Sequence, residues 1–89
     1  MDFKRGHRAD TDFMERMCWV SRCGKYRVAH IKVRFGNTEH YLAEEKLKAT
    51  GMWWPIEWRP DRKRNHSMKK YQTRRSAEKA CEEHLNRRA

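Results

Sequence analysis

Tryptophan and arginine are concentrated in one stretch of the chain, GMWWPIEWRPDRKRNH (residues 51–66). Guanidinium groups form paired hydrogen bonds with phosphate or guanine, and indole rings can stack on exposed bases. Residues 59–75 contain eight lysines and arginines but one acidic residue. Binding to a phosphate backbone requires such clustered cations, because each contact releases condensed counterions. This stretch therefore predicts a surface that binds a polyanion.

The candidate binding residues are the cations of this stretch, of the neighbouring strand and of the segment that begins the last helix. They are Arg22, Arg27, Lys32, Arg34, Arg59, Arg62, Lys63, Arg64, Lys69, Lys70, Arg74 and Arg75. Tryptophans in a domain poor in apolar residues are more often core, so we expect Trp19, Trp54 and Ile56 to pack inward. Trp53 and Trp58 are then the candidates for base stacking or for a protein interface.

The charge of the whole chain indicates the same class of partner. Its net charge is +10 and its isoelectric point is about 10, which favours nucleic acid first and a membrane surface second. The alternative is that the charge only maintains solubility. Because no apolar run approaches a membrane span and the N-terminus lacks a secretion signal, we predict no membrane partner and a cytoplasmic location, in the nucleoid or nucleus if the ligand is DNA.

Four soft side chains could form a tetrahedral zinc site. Cys18 and Cys23 have C-x4-C spacing, and Cys81 and His84 have C-x2-H spacing on one helical face. The alternative is that all four are packing or turn residues. We favour that alternative, since the spacing is looser than in established zinc modules, and we predict no metal and no cofactor. An odd number of cysteines, three, also argues against a disulfide framework and fits a reducing cytosol.

Catalytic motifs are missing from the chain. It contains no nucleophile elbow, Walker loop, HExxH or H-x-E…C-x2-C pattern. A chain of 89 residues also has room for one core only. We therefore predict that the protein is not an enzyme and has no small-molecule substrate.

The secondary-structure pattern predicts a flexible basic arm at residues 1–9 and a single α+β domain at residues 10–89, with a basic loop at 59–70. Residues 9–17 begin with a capping-box pattern, which predicts one or two helical turns. Residues 43–51 have a helical composition and end in Gly51, which predicts a second short helix. Thr73 or Ser76 can cap a final helix whose apolar face is Ala77, Ala80, Cys81, His84 and Leu85.

Strands are predicted between these segments. Residues 18–22 and 25–35 form a hairpin, and residues 39–43 can return as a third strand. In the second strand Ala29, Ile31, Val33 and Phe35 alternate with Val28, His30, Lys32 and Arg34, so we expect one core face and one cationic face. Pro55 cannot donate to a sheet ladder, which places residues 53–58 at an edge. The predicted fold is a small two-layer α+β domain, an antiparallel three- to four-stranded β-meander packed against a C-terminal α-helix.

Two segments carry a family resemblance. KYRVAHIKVRFGNTEHYL and KKYQTRRSAEKACEEH resemble the sheet-plus-helix DNA-binding domains of the AP2 and integrase amino-terminal type. The resemblance implies that the exposed sheet face enters the major groove through Arg22, Arg27, Lys32 and Arg34. TRRSAEKAC also resembles the close of a double-stranded-RNA-binding domain, in which Arg74 and Arg75 would match the basic pair that faces phosphates.

Two functions remain open on this basis. The first is a small non-enzymatic nucleic-acid-binding protein, with DNA favoured over RNA, that contacts phosphates through the basic loop and the cationic sheet face. The second is a protein-interaction module, such as a phage-type or accessory inhibitor that docks through a Trp/Arg patch, because both residue types are enriched at interface hot spots.

Overall fold

A five-stranded antiparallel sheet, with its strands in chain order, forms one layer of the protein. The computed structural model describes residues 2–36, 38–56, 58–59 and 67–88. The sheet contains β1 (Phe3–Asp10), β2 (Met14–Ser21), β3 (Tyr26–Val33), β4 (Glu39–Lys46) and β5 (Trp53–Pro55). A separate two-stranded ladder pairs β6 (Trp58–Arg59) with β7 (Ser67–Met68), and α1 (Arg74–Arg88) follows. The predicted class, a two-layer α+β meander with a C-terminal helix, is confirmed, with five strands in the meander.

The helix α1 covers the sheet face that we expected to be cationic. Val28 of β3 packs with Ala43 of β4 and with Ala77 of α1, and each is at most 3% exposed. The other face of β3 contributes Ala29 and Ile31 to a second buried cluster. The prediction of one core face and one cationic face was therefore wrong, because the two halves of β3 differ. Val28 lies beneath α1, whereas Lys32 on the same face is exposed.

The N-terminal segment forms strands, contrary to both predictions made for it. Residues predicted as a flexible arm form β1, which pairs with β2 through a bulge between Arg5 and Arg8. The predicted helical turns at 9–17 are replaced by the β1–β2 turn and the start of β2. The Thr11 hydroxyl accepts hydrogen bonds from the amides of Phe13 and Met14. Such side-chain bonds to backbone amides occur in turns as well as at helix starts, so the capping pattern was ambiguous.

The second predicted short helix, at residues 43–51, is also wrong. β4 continues to Lys46, because Tyr26 of β3 pairs with Glu45 in register and supplies strand partners to this segment. A turn follows, in which Gly51 has a φ of 70° and donates its amide hydrogen to the carbonyl of Leu47. Helical composition is a weak preference, and strand pairing in the folded protein overrides it here.

Pro55 lies in an edge strand, as predicted. β5 pairs only with β4 and ends the five-stranded sheet. The same edge of β4 is then used by Tyr71, whose backbone exchanges hydrogen bonds of 2.7 and 2.8 Å with Tyr41. Ile56 and Tyr71 thus both lie along β4, and β6 and β7 fall between them in the chain as a separate ladder. Residues 60–66, the centre of the predicted basic loop, lie outside the described residues.

A buried carboxylate connects three strands on the face opposite α1. Glu44 is 6% exposed, and its Oε1 atom accepts hydrogen bonds of 2.8 Å from Arg16 and from Arg27. The Arg27 guanidinium also lies over the Trp53 ring at 4.6 Å. Two guanidinium groups therefore bind this carboxylate and join β2, β3 and β4, and the contact of Arg27 with Trp53 adds β5 to the network.

We expect Glu44→Ala to lower the free energy of unfolding by about 2–3 kcal/mol, because it leaves two half-buried guanidinium groups without their acceptor. Urea denaturation of the variant and the parent protein would measure the loss. Glu83→Ala serves as the matched control, since Glu83 forms a solvent-exposed pair with Arg87 and its removal should change stability by less than about 0.5 kcal/mol. Equal effects of the two substitutions would contradict the structural role of Glu44.

Candidate nucleic-acid interface

The first turn of α1 concentrates positive charge. Thr73 caps the helix, its hydroxyl accepting the Ser76 amide hydrogen at 3.1 Å, so of the two predicted caps Thr73 is the one used. Arg74 and Arg75 follow directly, and the first turn contains no acidic side chain. The amides of the first turn have no acceptor within the helix, and the helix dipole adds positive potential there. This helix end therefore attracts anions through both its backbone and its side chains.

Aromatic rings hold two cations in place, Arg74 of the helix and Lys69 of the segment before it. The Arg74 guanidinium lies 5.1 Å from the centroid of Trp19, and the Lys69 ammonium lies 5.1 Å from that of Tyr71. The pairing of Tyr71 with Tyr41 fixes the segment that carries Lys69 and Lys70 against the sheet. Cation–π contacts of this kind orient a charge without neutralising it.

The pKa of His40 is lowered by burial and by a neighbouring cation. Burial lowers this pKa below its ordinary value, and the charge of Lys70 lowers it further, with a smaller contribution from His30. Lys70 therefore lies close enough to β4 for its charge to act on a strand residue. His40 pairs with Ile31 on the face opposite α1, so the charge of Lys70 reaches that side of the sheet.

The sheet beside this helix end presents stacked rings. His30 stacks on Tyr41 with ring centroids 4.5 Å apart, and Trp19 contacts Tyr41 at 6.5 Å. One strand position further along the same face, Lys32 is exposed and lines a shallow groove of about 270 Å³ together with Arg8. We define the basic end by the cations around this surface. They are Lys32, Arg34, Lys69, Lys70, Arg74 and Arg75.

Carboxylates partly neutralise the arginines beside Lys32 on the sheet. Glu15 lies 3.8 Å from Arg34 and 3.9 Å from Arg8, and Arg8 also pairs with Asp10 at 2.9 Å. Sequence reasoning missed Arg8 because it assigned this residue to a flexible arm. The cations at the start of α1 are less neutralised, since Lys70 and Arg75 make no ion pair with any described residue.

The other two predicted sheet cations lie elsewhere. Arg27 is five residues from Lys32, so alternation places it on the opposite face, where Glu44 and Trp53 engage it. Arg22 lies in the β2–β3 turn, at the opposite end of β3 from Lys32. The four cations implied by the likeness to AP2-type domains therefore do not share one sheet face.

The tryptophans are distributed differently from the prediction. Trp19 and Ile56 pack against the core as expected, but Trp54 is 46% exposed and its predicted burial is wrong. The register of β5 places Trp53 on the face of Glu44, under Arg27 and half-buried. Trp58 and Arg59 form β6, but their side chains lie outside the description. Arg62, Lys63 and Arg64 lie outside the described residues altogether.

The structure does not bring the zinc candidates together. Cys18 is buried on the sheet face opposite α1. Cys81 belongs to α1 and is buried between the helix and the sheet, and Cys23 is exposed in the β2–β3 turn. His84 instead shares a hydrogen bond of 2.9 Å with the Tyr26 hydroxyl. Within the described part of the chain, no cluster of three or more His, Cys, Asp or Glu side chains could hold a metal ion.

A larger cavity lies at the other end of α1. It has a volume of about 740 Å³ and is lined by residues of the β2–β3 turn, by the end of β4 and by Leu85. The Tyr26–His84 pair lies at its edge, with Glu45 4.0 Å from His84. The basic end is thus a shallow surface, separated by most of the helix from this cavity.

Comparisons of the chain with protein-family models, with curated proteins and with solved structures find no match. Within the described residues, no helix has the length and apolar character needed to cross a membrane. The geometry and charge of the chain's own residues are therefore the observations that bear on its function.

The three cysteines should differ sharply in reactivity. Hydrogen bonds from Ser21 and from the Lys25 amide lower the pKa of Cys23, whereas burial raises the pKa of Cys81 to about 12. We expect a disulfide reagent at neutral pH to modify Cys23 rapidly in the native protein, with an apparent pKa below that of an ordinary thiol, because the thiolate is the reactive form. Cys18 and Cys81 should react only after unfolding.

Mass spectrometry after timed labelling would identify the modified residue, and Cys23→Ser should remove the fast phase. Fast native labelling of Cys81 would contradict the packing of α1 on the sheet.

Proposed function

We propose that the protein is a small non-enzymatic nucleic-acid-binding protein that contacts the phosphate backbone through the basic end and the basic segment at 59–70. DNA is favoured over RNA on the sequence resemblance alone, since the four cations that this resemblance implies do not share one sheet face. The observation that carries the proposal is the first turn of α1. Arg74 and Arg75 occupy it, three residues separate them from Lys69 and Lys70, and that turn has no acidic side chain.

This arrangement is unfavourable for the isolated protein. Cations at a helix N-terminus oppose the helix dipole, which favours carboxylates at that position by about 0.3–1 kcal/mol each. Arg74 is half exposed and has one carboxylate partner, Glu78, at 3.5 Å. A bound phosphate would relieve the repulsion among these cations and accept hydrogen bonds from the free amides of the first turn.

The basic segment continues this surface along the chain. β7 ends at Met68, directly before Lys69, so the ladder of β6 and β7 is attached to the basic end. Arg62, Lys63 and Arg64 belong to the connection between these two strands. A polyanion bound at α1 would therefore be close to the origin of this second group of cations.

One observation favours the alternative, a protein-interaction module. Trp54 and Met52 are 46% and 58% exposed at the sheet edge formed by β5, and exposed tryptophan is typical of interface hot spots. This patch is distinct from the basic end, so substitutions can separate the two functions. Weak, salt-independent binding to every nucleic acid would favour the alternative.

We expect the double substitution Lys70→Glu/Arg75→Glu to weaken binding to a labelled DNA duplex by at least about tenfold. It should also reduce the slope of log K against log salt by about 2, since two phosphate contacts are lost. A fluorescence-anisotropy titration at several salt concentrations measures both quantities.

Lys25→Glu/Lys48→Glu is the matched control, because it makes the same change in net charge at the cavity end of the helix. If this control weakens binding as much as the first variant, the effect is one of total charge, and the proposed location of the interface is wrong.

Reversing the charges of Arg62, Lys63 and Arg64 to Glu should abolish duplex binding under the same conditions. The native cysteine-labelling pattern should be unchanged, because the substitutions lie in a connection between short strands. Retained affinity would remove the basic segment from the interface and leave the basic end to account for binding.

A further inference from the structure

Two phenylalanines remain exposed at one end of the sheet. Phe13 in the β1–β2 turn and Phe35 after β3 are 65% and 72% exposed, more than any other large apolar side chain that the structure describes. Successive connections of an antiparallel meander alternate between its two ends, so the β1–β2 and β3–β4 turns lie at the same end. The two ring centroids are 6.2 Å apart, with an angle of 52° between the ring planes. The fold therefore presents two adjacent aromatic rings to solvent.

Hydrogen bonds hold the backbone beneath these rings. The Thr11 hydroxyl accepts the Phe13 amide hydrogen at 3.3 Å, and the Arg34 amide donates to the Phe13 carbonyl at 2.9 Å. The second turn is closed by a bond of 2.8 Å from the Val33 amide to the Thr38 carbonyl. The two turns are thus joined to each other directly, and little ordering would be needed for the rings to receive a ligand.

The rings continue the surface of the basic end. Arg34 precedes Phe35, and Lys32 is exposed near the end of β3. Trp19 lies in β2, six residues after Phe13 in the turn before that strand, which corresponds to about 20 Å of extended chain. Trp19, over which Arg74 lies, thus connects the start of α1 to the strand that leads back to Phe13.

We propose that Phe13 and Phe35 stack unpaired nucleobases, so that the protein prefers single-stranded or locally unpaired nucleic acid to a continuous duplex. This inference rests on the proposed function. Bases in a duplex are already stacked on their neighbours, whereas an unpaired base exposes a face that an aromatic ring can cover. Arg34, which pairs with Glu15, directly precedes Phe35, and Lys32 is exposed near the end of β3. A cation for an adjoining phosphate is therefore close to the rings, and this favours a nucleic acid over an apolar protein segment.

The test compares three variants and the parent protein on two ligands. Phe13→Leu/Phe35→Leu keeps apolar side chains but removes the rings, whereas Phe13→Tyr/Phe35→Tyr keeps the rings. Met52→Ala is the control for loss of exposed apolar surface, because Met52 lies at the other end of the sheet. Each variant and the parent protein are titrated with a labelled oligothymidylate of about 15 nucleotides and with a duplex of equal length.

The leucine variant lacks both rings, and we expect its affinity for the single strand to fall by at least about fivefold for each ring removed. Its affinity for the duplex should change by less than about twofold. The tyrosine variant and Met52→Ala should keep the preference of the parent protein. Urea denaturation and cysteine labelling establish that each variant is folded, which is expected because both rings are exposed.

Two results would overturn the inference, and they are distinguishable. If the parent protein binds both ligands with a steep salt dependence but the leucine variant loses neither or loses both equally, base stacking is wrong and the nucleic-acid function stands. If the parent protein binds neither ligand at low salt, the proposed function fails and the stacking inference fails with it.

Discussion

The helix α1 approaches the sheet through small side chains, and the position of the cations at the start of α1 depends on that contact. Ala77 and Cys81 are fully buried against Val28 and Ala43. Small residues on both sides let the helix lie close to the strands, so it packs firmly despite the shortage of large aliphatic side chains in the chain. The packing directs the first turn of α1 toward Trp19 and its last turns toward Tyr26. The helix N-terminus and its arginines are thereby placed over the aromatic part of the sheet.

The arginines of this protein divide into two groups according to what surrounds them. Arg16 and Arg27 converge on the buried Glu44 and maintain the sheet, whereas Arg74 and Arg75 occupy a helix end that offers little compensation. A carboxylate in the low-dielectric interior requires close cations, and those cations are then unavailable to an external phosphate. A net charge of +10 consequently overstates the number of cations that face a ligand.

The fold could be predicted from the sequence where a pattern was both local and strong. The final helix with a cap at Thr73 or Ser76, the existence of strand β3 and the edge position of Pro55 each follow from one residue type or one periodicity. The predictions of two short helices were wrong. The Thr11 hydroxyl stabilises a turn as well as it could cap a helix, and β3 pairs with residues 43–46 although their composition is helical. Weak local preferences of this kind are decided by long-range pairing.

The candidate site divides in the same way. The sequence by itself determined that residues 59–75 are densely cationic, that Arg74 and Arg75 begin a helix and that Lys32 alternates with apolar neighbours. Only the tertiary structure decided that α1 covers Val28 but leaves Lys32 exposed, that Arg27 serves Glu44, and that Phe13 and Phe35 meet at one end of the sheet. Charge density and periodicity are properties of neighbouring residues, whereas burial, ion pairing and ring contacts depend on which distant segments the register of the sheet brings together.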